Sequence, residues 1–286
     1  HNPIITGFHP DPSVCRVGND FYLVNSSFEY FPGIPIYHST DLTHWEQIGH
    51  VLDRKNQLKL VSGAPNCLGI YAPTIRYHEG IFYCIVTNVG GRSGGNFFVY
   101  TTDPYGRWSN PVKLPFAGID PSLFFDEDGR IYYTGTDTGI YITEITFDVV
   151  RNDTPKRNEL PVSIQNVKCG EKHYIWNGSG GNNPEGPHLY RIHDMYYLMI
   201  AEGGTEYCHM VTIARSKNVY GSYEACPHNP VLSNRSTCLN IKAIGHADLV
   251  EDSQGSWWAV CLGIRPLGYP FRHNLGRETM LAPVKW

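Results

Sequence analysis

The chain has 286 residues, with 23 Lys and Arg against 27 Asp and Glu and a formal net charge of −4. No basic cluster is present to follow a phosphate backbone, which argues against a nucleic-acid partner, and no apolar run approaches the roughly 18 residues of a membrane-spanning helix. Aromatic residues reach 13%, charged residues only 17%, and 29 Gly and 20 Pro supply turns; that balance suits an ordered, turn-rich β-protein.

The chain opens HNPIITGFHPDPS, without the charged and apolar segments of a secretory leader, so a cytoplasmic location is the expectation. From Asp11 a unit begins that recurs along the sequence: DPSVCRVGNDFY, followed by the apolar stretch IPIYHSTDL. A second copy starts at Ala72 with APTIRYHEGIFY and continues in FFVYTTDPYG. The third starts at Asp120 with DPSLFFDEDGRIYY and continues in GIYITEI. The fourth starts at Glu185 with EGPHLYRIHDMYY and continues in VTIARSKNVYG. The fifth starts at His246 with HADLVEDSQGSWW and ends in RETMLAPV. In each, a short apolar strand, a turn and a strand bearing paired aromatics are followed by a polar loop and a further strand.

The copies lie roughly 50 to 65 residues apart, and alternation rather than helical periodicity dominates them. A unit of that size with three or four antiparallel strands is a propeller blade. The expectation is therefore an all-β, five-bladed β-propeller forming a single domain over residues 1–286, with residues 1–8 near the C-terminal end to close the ring. A β-sandwich would not account for five copies.

The innermost strand of a blade lines the central channel. If the units are equivalent, Asp11, Asp120, Glu185 and His246 converge on one funnel, with Ala72 completing the ring. An Asp before Pro is by itself an ordinary turn residue. Acids at three of five equivalent positions ask for a functional reason, because crowded like charges destabilise a fold. Two carboxyls across a pocket can cleave a glycosidic bond, one donating a proton and the other activating water or attacking carbon. Phe28, Tyr30, Phe31, Tyr71 and Trp176 are aromatic candidates for a sugar-stacking wall, with blade packing as the competing role.

Eight cysteines occur without any C-x-x-C or C-x-x-H pair, so a zinc site is not expected. They are read as buried thiols, with Cys226 and Cys238 as the pair that could join in an exported protein.

Taken together, NPIITGFHPDPSV, NSSFEYFPGIPIYHSTDL, YAPTIRY, GIDPSLFFD, NPEGPHLY, AEGGTEY, GHADLV and LGRETMLAPV resemble glycoside hydrolase family 43, and within it the β-xylosidases and α-L-arabinofuranosidases. The resemblance runs in order through all five units. It implies that Asp11 is the general base, Glu185 the general acid, and Asp120 the residue that orients the acid and raises its pKa, in a reaction that inverts the anomeric centre. It implies further that Arg277 lies at the floor of the sugar pocket and that Phe28 and Thr205 line the terminal-sugar subsite. Tyr71 stands where relatives commonly carry a stacking Trp, and Ile119 where some xylosidases carry Phe. Near His246 the resemblance implies a largely water-coordinated Ca²⁺. Many relatives also carry a C-terminal β-sandwich that closes one side of the pocket. This chain stops with its fifth unit, so no second domain is expected within it, and a homo-oligomer partner is one way to supply the missing wall.

The function implied is release of β-D-xylose from the non-reducing ends of xylo-oligosaccharides, with α-L-arabinofuranosidase as a side or main activity on arabinoxylan-derived substrates. A dedicated arabinofuranosidase or arabinan-degrading enzyme is the alternative within the class. A catalytically silent carbohydrate-binding propeller is the alternative outside it.

Overall fold

The computed structural model describes residues 1–60, 65–90, 94–268 and 270–286. Among these residues there are twenty strands and no α-helix. The first sheet holds β1 (Ser13–Val17), β2 (Asp20–Val24), β3 (Gly33–Ser39) and β4 (Glu46–Leu52). The second holds β5 (Gly69–His78), β6 (Ile81–Val89), β7 (Gly95–Thr101) and β8 (Val112–Lys113). In the third, β9 (Ile119–Phe125), β10 (Ile131–Thr136), β11 (Ile140–Arg151) and β12 (Val162–Cys169) follow in order, with β13 (His173–Tyr174) pairing on β11. The fourth holds β14 (Glu185–Ile192), β15 (Met195–Glu202), β16 (Met210–Ser216) and β17 (Glu224–Ala225). The fifth has β18 (Lys242–Glu251), β19 (Trp257–Ile264) and β20 (Glu278–Val284). Each is an antiparallel meander, and the five are the blades of a β-propeller.

The residues of each strand divide between two neighbours because successive side chains point to opposite faces. In β6, Phe82, Cys84 and Val86 pack toward the first blade, while Ile81, Tyr83 and Ile85 pack toward the third. In β10, the adjacent Tyr132 and Tyr133 enter the clusters on either side of the third blade. Five such clusters exist, one per blade interface, including one joining Val14 and Leu23 of the first blade to Val250 and Val260 of the last. A strand buried on both faces reads as a continuous run of β-branched and aromatic residues. That is the origin of the paired aromatics in every unit.

The N-terminal segment closes the ring as expected. Ile4 and Ile5 N–H groups donate to Thr279 O, Thr279 N–H returns a bond to Ile5 O, and the Asn2 side chain brackets Leu281. The segment thus runs along the outer edge of the three-stranded fifth blade, joined to it by an isolated bridge at Ile5 and Thr279.

All eight cysteines are free thiols. Cys15, Cys84 and Cys261 are buried as expected, whereas Cys67, Cys208 and Cys238 are exposed, so burial does not describe the whole set. Cys226 and Cys238 are not joined.

Candidate active site

Every inner strand begins with the same local distortion. Asp11, Ala72, Asp120, Gly186 and His246 all have positive φ, between 31° and 60°. In β5, β9, β14 and β18 this coincides with a shift in pairing register. A bulge re-aims side chains at the end of a strand, and the positive φ common to all five blades turns one residue per blade toward the axis. The position equivalent to Asp11, Asp120 and His246 in the fourth blade is Gly186, not Glu185. Glu185 stands one residue earlier, so its carboxyl reaches the funnel from a different angle.

Two or four residues further along the strands, side chains face the channel again, where Ser13, Arg76, Ser122, His188 and Tyr190 surround Asp248, which is fully buried. Arg76 binds Asp248 in a two-pronged ion pair at 2.7 and 3.1 Å, while Ser13 Oγ and Tyr190 Oη each donate to it at 2.6 Å. The Arg76 guanidinium also lies 3.0 Å from His188 Nδ1. This polar plug fills the channel beneath the candidate site and, with Ser122 Oγ 3.1 Å from His188 Nδ1, ties all five blades together.

Above it, Asp11 is 6% exposed. Ser26 Oγ donates to its Oδ2 at 2.6 Å and itself accepts the Ala72 N–H at 2.7 Å. Arg277 donates to Oδ1 at 3.0 Å, and His246 Nδ1 stands 3.9 Å from the same oxygen. Burial pushes the Asp11 carboxyl up, but Arg277, then His246 and the Ser26 hydroxyl, outweigh it, and the net shift is downward. Asp11 is therefore held as a carboxylate.

Asp120 and Glu185 behave oppositely. Burial raises Asp120 well above the ordinary value, and the charges of Glu185 and Asp11 add to it. Glu185 is pushed up to about 7 by burial and by Asp11, against the opposing pull of Arg277. Two buried carboxyls this strongly coupled share protons as a pair. The Gly186 N–H donates to Asp120 Oδ2 at 3.0 Å, which opposes the upward push of burial on that carboxyl without reversing it.

Arg277 also lies over Phe28, its guanidinium carbon 5.5 Å from the ring centroid. Phe8 and Tyr71 flank Phe28 at 5.5 and 5.2 Å. Tyr71 is within electrostatic reach of Asp11, Asp120 and Arg277, so these rings form one wall beside the acids. Ile119 and Glu185 line a cavity of about 500 Å³ together with Thr138 and Asn183. Thr205 is exposed on the loop after β15, beside Gly204, where an added Cβ would come 3.1 Å from Asn183 Nδ2.

Three aromatic candidates lie elsewhere. Trp176 packs against the core between the third and fourth blades, so it is not part of the wall. Tyr30 and Phe31 are exposed at 61% and 46% on the loop after Phe28, outside the Phe8–Phe28–Tyr71 group. In turn, Ser26, Phe8 and Gly186 are site residues that sequence reasoning passed over. The polar run Asn25–Ser27, buried between apolar strands, was the available signal for Ser26.

His246 is buried, and its pKa is lowered by burial. Its neighbour His209 is wholly buried, and burial, with the charge of His246, brings it down to about 4. Among the described residues, no three His, Cys, Asp or Glu side chains converge to hold a metal ion. Imidazole nitrogen is a poor match for Ca²⁺, which takes six to eight oxygens, and the adjacent Asp11 is committed to Arg277. These residues offer no calcium site built from several protein ligands; the largely water-coordinated Ca²⁺ that the resemblance implies would have the His246 imidazole as its protein ligand.

The sequence profile of glycosyl hydrolases family 43 matches residues 1–286. The chain is 50% identical to a non-reducing end alpha-L-arabinofuranosidase of Bacteroides ovatus, covering all of this chain and 51% of that protein. It is 46% identical to a xylosidase/arabinosidase of Butyrivibrio fibrisolvens, covering all of this chain and 54% of that protein. Among solved structures, a xylan beta-1,4-xylosidase from Bacillus halodurans superposes with a TM-score of 0.87 at 38% identity, over all of this chain and 54% of that one. The chain thus spans about half the length of the relatives it matches.

Proposed function

The chain belongs to glycosyl hydrolases family 43, and we propose that it is an inverting, exo-acting pentosidase. It releases β-D-xylose from the non-reducing ends of xylo-oligosaccharides and also cleaves terminal α-L-arabinofuranosides. The observation that carries this reading is the contrast between two carboxyls in one funnel. Asp11 is kept ionised by Arg277, and Glu185 is kept protonated to about pH 7. Groups of unlike proton affinity facing one bond are what acid–base cleavage of a glycoside requires.

In the proposed mechanism the terminal sugar lies against the Phe28–Tyr71 wall, with Thr205 at the rim. Asp11 takes a proton from a water molecule as its oxygen bonds to the anomeric carbon. Glu185 gives its proton to the glycosidic oxygen as the bond to that carbon breaks. Asp120, held by the Gly186 N–H and coupled to Glu185, orients the acid and tunes its proton affinity. Inversion leaves room for water between base and acid, a carboxyl separation of roughly 6.5–9.5 Å. Arg277 lowers Asp11 and leaves donors for sugar hydroxyls. His246, neutral in its buried setting, packs beside Asp11 and Gly186.

A dedicated arabinofuranosidase is the second reading, favoured by the 50% identity to the Bacteroides ovatus protein of that name. Turnover of 4-nitrophenyl β-D-xylopyranoside and α-L-arabinofuranoside, measured side by side, tests both. Predominant xyloside turnover supports the first reading and arabinofuranoside turnover alone the second. Binding of either sugar without turnover would leave a carbohydrate-binding propeller.

A further inference from the structure

Glu202 ends β15 with its side chain fully buried. Four donors converge on its carboxylate. The Ser179 N–H lies 3.1 and 2.9 Å from the two oxygens, and Ser179 Oγ donates to Oε2 at 3.0 Å. The Gly181 N–H donates to Oε1 at 2.7 Å. From the adjacent strand β16, the Thr212 hydroxyl donates to Oε2. Converging backbone N–H groups form a nest for an anion, and here the anion is the protein's own.

The approach is so close that it dictates the loop sequence. A Cβ on Gly178 would stand 2.5 Å from Glu202 Cδ, and one on Gly181 would stand 2.9 Å from Glu202 Cβ and 2.6 Å from Met210 Cε. Gly178 also has a φ of +83°, which favours glycine. The end of the loop is held by the Gly203 N–H, which donates to Asn182 O at 2.6 Å. Three residues after Asn182 comes Glu185, which pairs with Ala201, the residue beside Glu202 on β15. Glu185 is thus gripped through the loop before it and the strand opposite it, and both grips meet at Glu202.

We propose that Glu202 is a positioning residue for the acid: its carboxylate fixes the 178–182 loop and thereby the approach of Glu185 to the leaving-group oxygen. The proposal rests on the reading of Glu185 as general acid. A carboxylate is suited to the task because it only accepts. A glutamine would set its own NH₂ against the Ser179 or Gly181 donors.

The test compares kcat/KM on xylobiose, whose leaving group needs protonation, with that on 2,4-dinitrophenyl β-D-xylopyranoside, whose leaving group does not. In Glu202→Gln the loss on xylobiose should exceed that on the dinitrophenyl substrate by about tenfold or more, with the basic limb of the pH profile displaced. Equal losses with an unmoved basic limb would overturn the proposal, since a merely structural anchor affects both substrates alike. If circular dichroism shows that Glu202→Gln does not fold, Thr212→Val removes a single donor and should shift the same ratio in the same direction, while Thr212→Ser keeps the donor and the parent ratio. An unchanged ratio in Thr212→Val then overturns the proposal. A parent chain that cleaves neither substrate overturns the reading of Glu185 itself, and this inference with it.

Discussion

The Gly186 N–H reaches from the fourth blade to Asp120 Oδ2 on the third, a 3.0 Å bond across a blade interface. It ties the residue that follows Glu185 to the carboxyl that shares Glu185's proton. At this bulge the fourth blade places a glycine, not an acid, and a Cβ there would crowd the His246 ring at 3.1 to 3.3 Å. Glu185, one residue earlier, is thereby free to face the substrate.

Asp11→Asn should lower kcat by at least about 10³-fold with the fold intact, because the amide occupies the same space but cannot take the proton from water. Steady-state kinetics with circular dichroism as a folding control check this. A loss under tenfold would remove Asp11 as base.

Glu185→Gln should damage substrates according to their leaving groups. Xylobiose should lose the most, and a dinitrophenyl glycoside, which departs as a stable anion, the least. Uniform loss across a leaving-group series would argue against Glu185 as the acid.

The pH profile of kcat/KM should fall on the basic side near pH 7, where Glu185 loses its proton. Asp120→Asn removes the carboxyl coupled to Glu185, which should move the basic limb of the pair to lower pH. Arg277→Met removes the cation that holds Asp11 down, so the acidic limb should move to higher pH. Limbs that stay in place would dissociate these residues from the titrating pair.

Gly186→Ala should reduce both stability and turnover. The position has a φ of 60°, and a Cβ there would stand 3.1 to 3.3 Å from the His246 ring. The backbone strain alone is of the order of 1 kcal/mol, and the displaced ring is Asp11's neighbour. Thermal unfolding and kcat, measured together, test the point; unchanged values in both would refute it.

Asp248→Asn should destabilise the chain by about 3–5 kcal/mol at neutral pH, since it leaves the Arg76 charge buried without its partner. Burial raises the Asp248 carboxyl, but Arg76, His188 and Ser13 more than offset this, so its folded pKa is depressed. A carboxyl depressed in the folded state stabilises above its unfolded value, roughly pH 4, and that contribution is lost as the pH falls. The gap between parent and variant should therefore be widest near neutrality and narrow in acid. Urea unfolding at several pH values measures it, and a gap that grows in acid would reverse the assignment.

The repeat in the sequence was enough to determine five blades, their antiparallel strands and the closing of the ring, because each blade buries both faces against like neighbours and so repeats the same apolar alternation. It also marked Asp11 and Asp120, which sit at equivalent positions. Other features follow from contacts between residues distant in the chain. The one-residue offset of Glu185 became visible only as a bulge with Gly186 at positive φ. Phe8 and Glu202 carry no local signature of their roles, and Trp176, a candidate for the sugar-stacking wall, packs half-buried against the core between the third and fourth blades. The opposite proton affinities of Asp11 and Glu185 were likewise beyond the sequence. Both are acids that open a repeat, and what separates them is a guanidinium 266 positions away bonded to one and burial without such a bond for the other. Periodicity encodes which face of a strand is buried; the field at a carboxyl is the sum over groups that only the closed ring brings together.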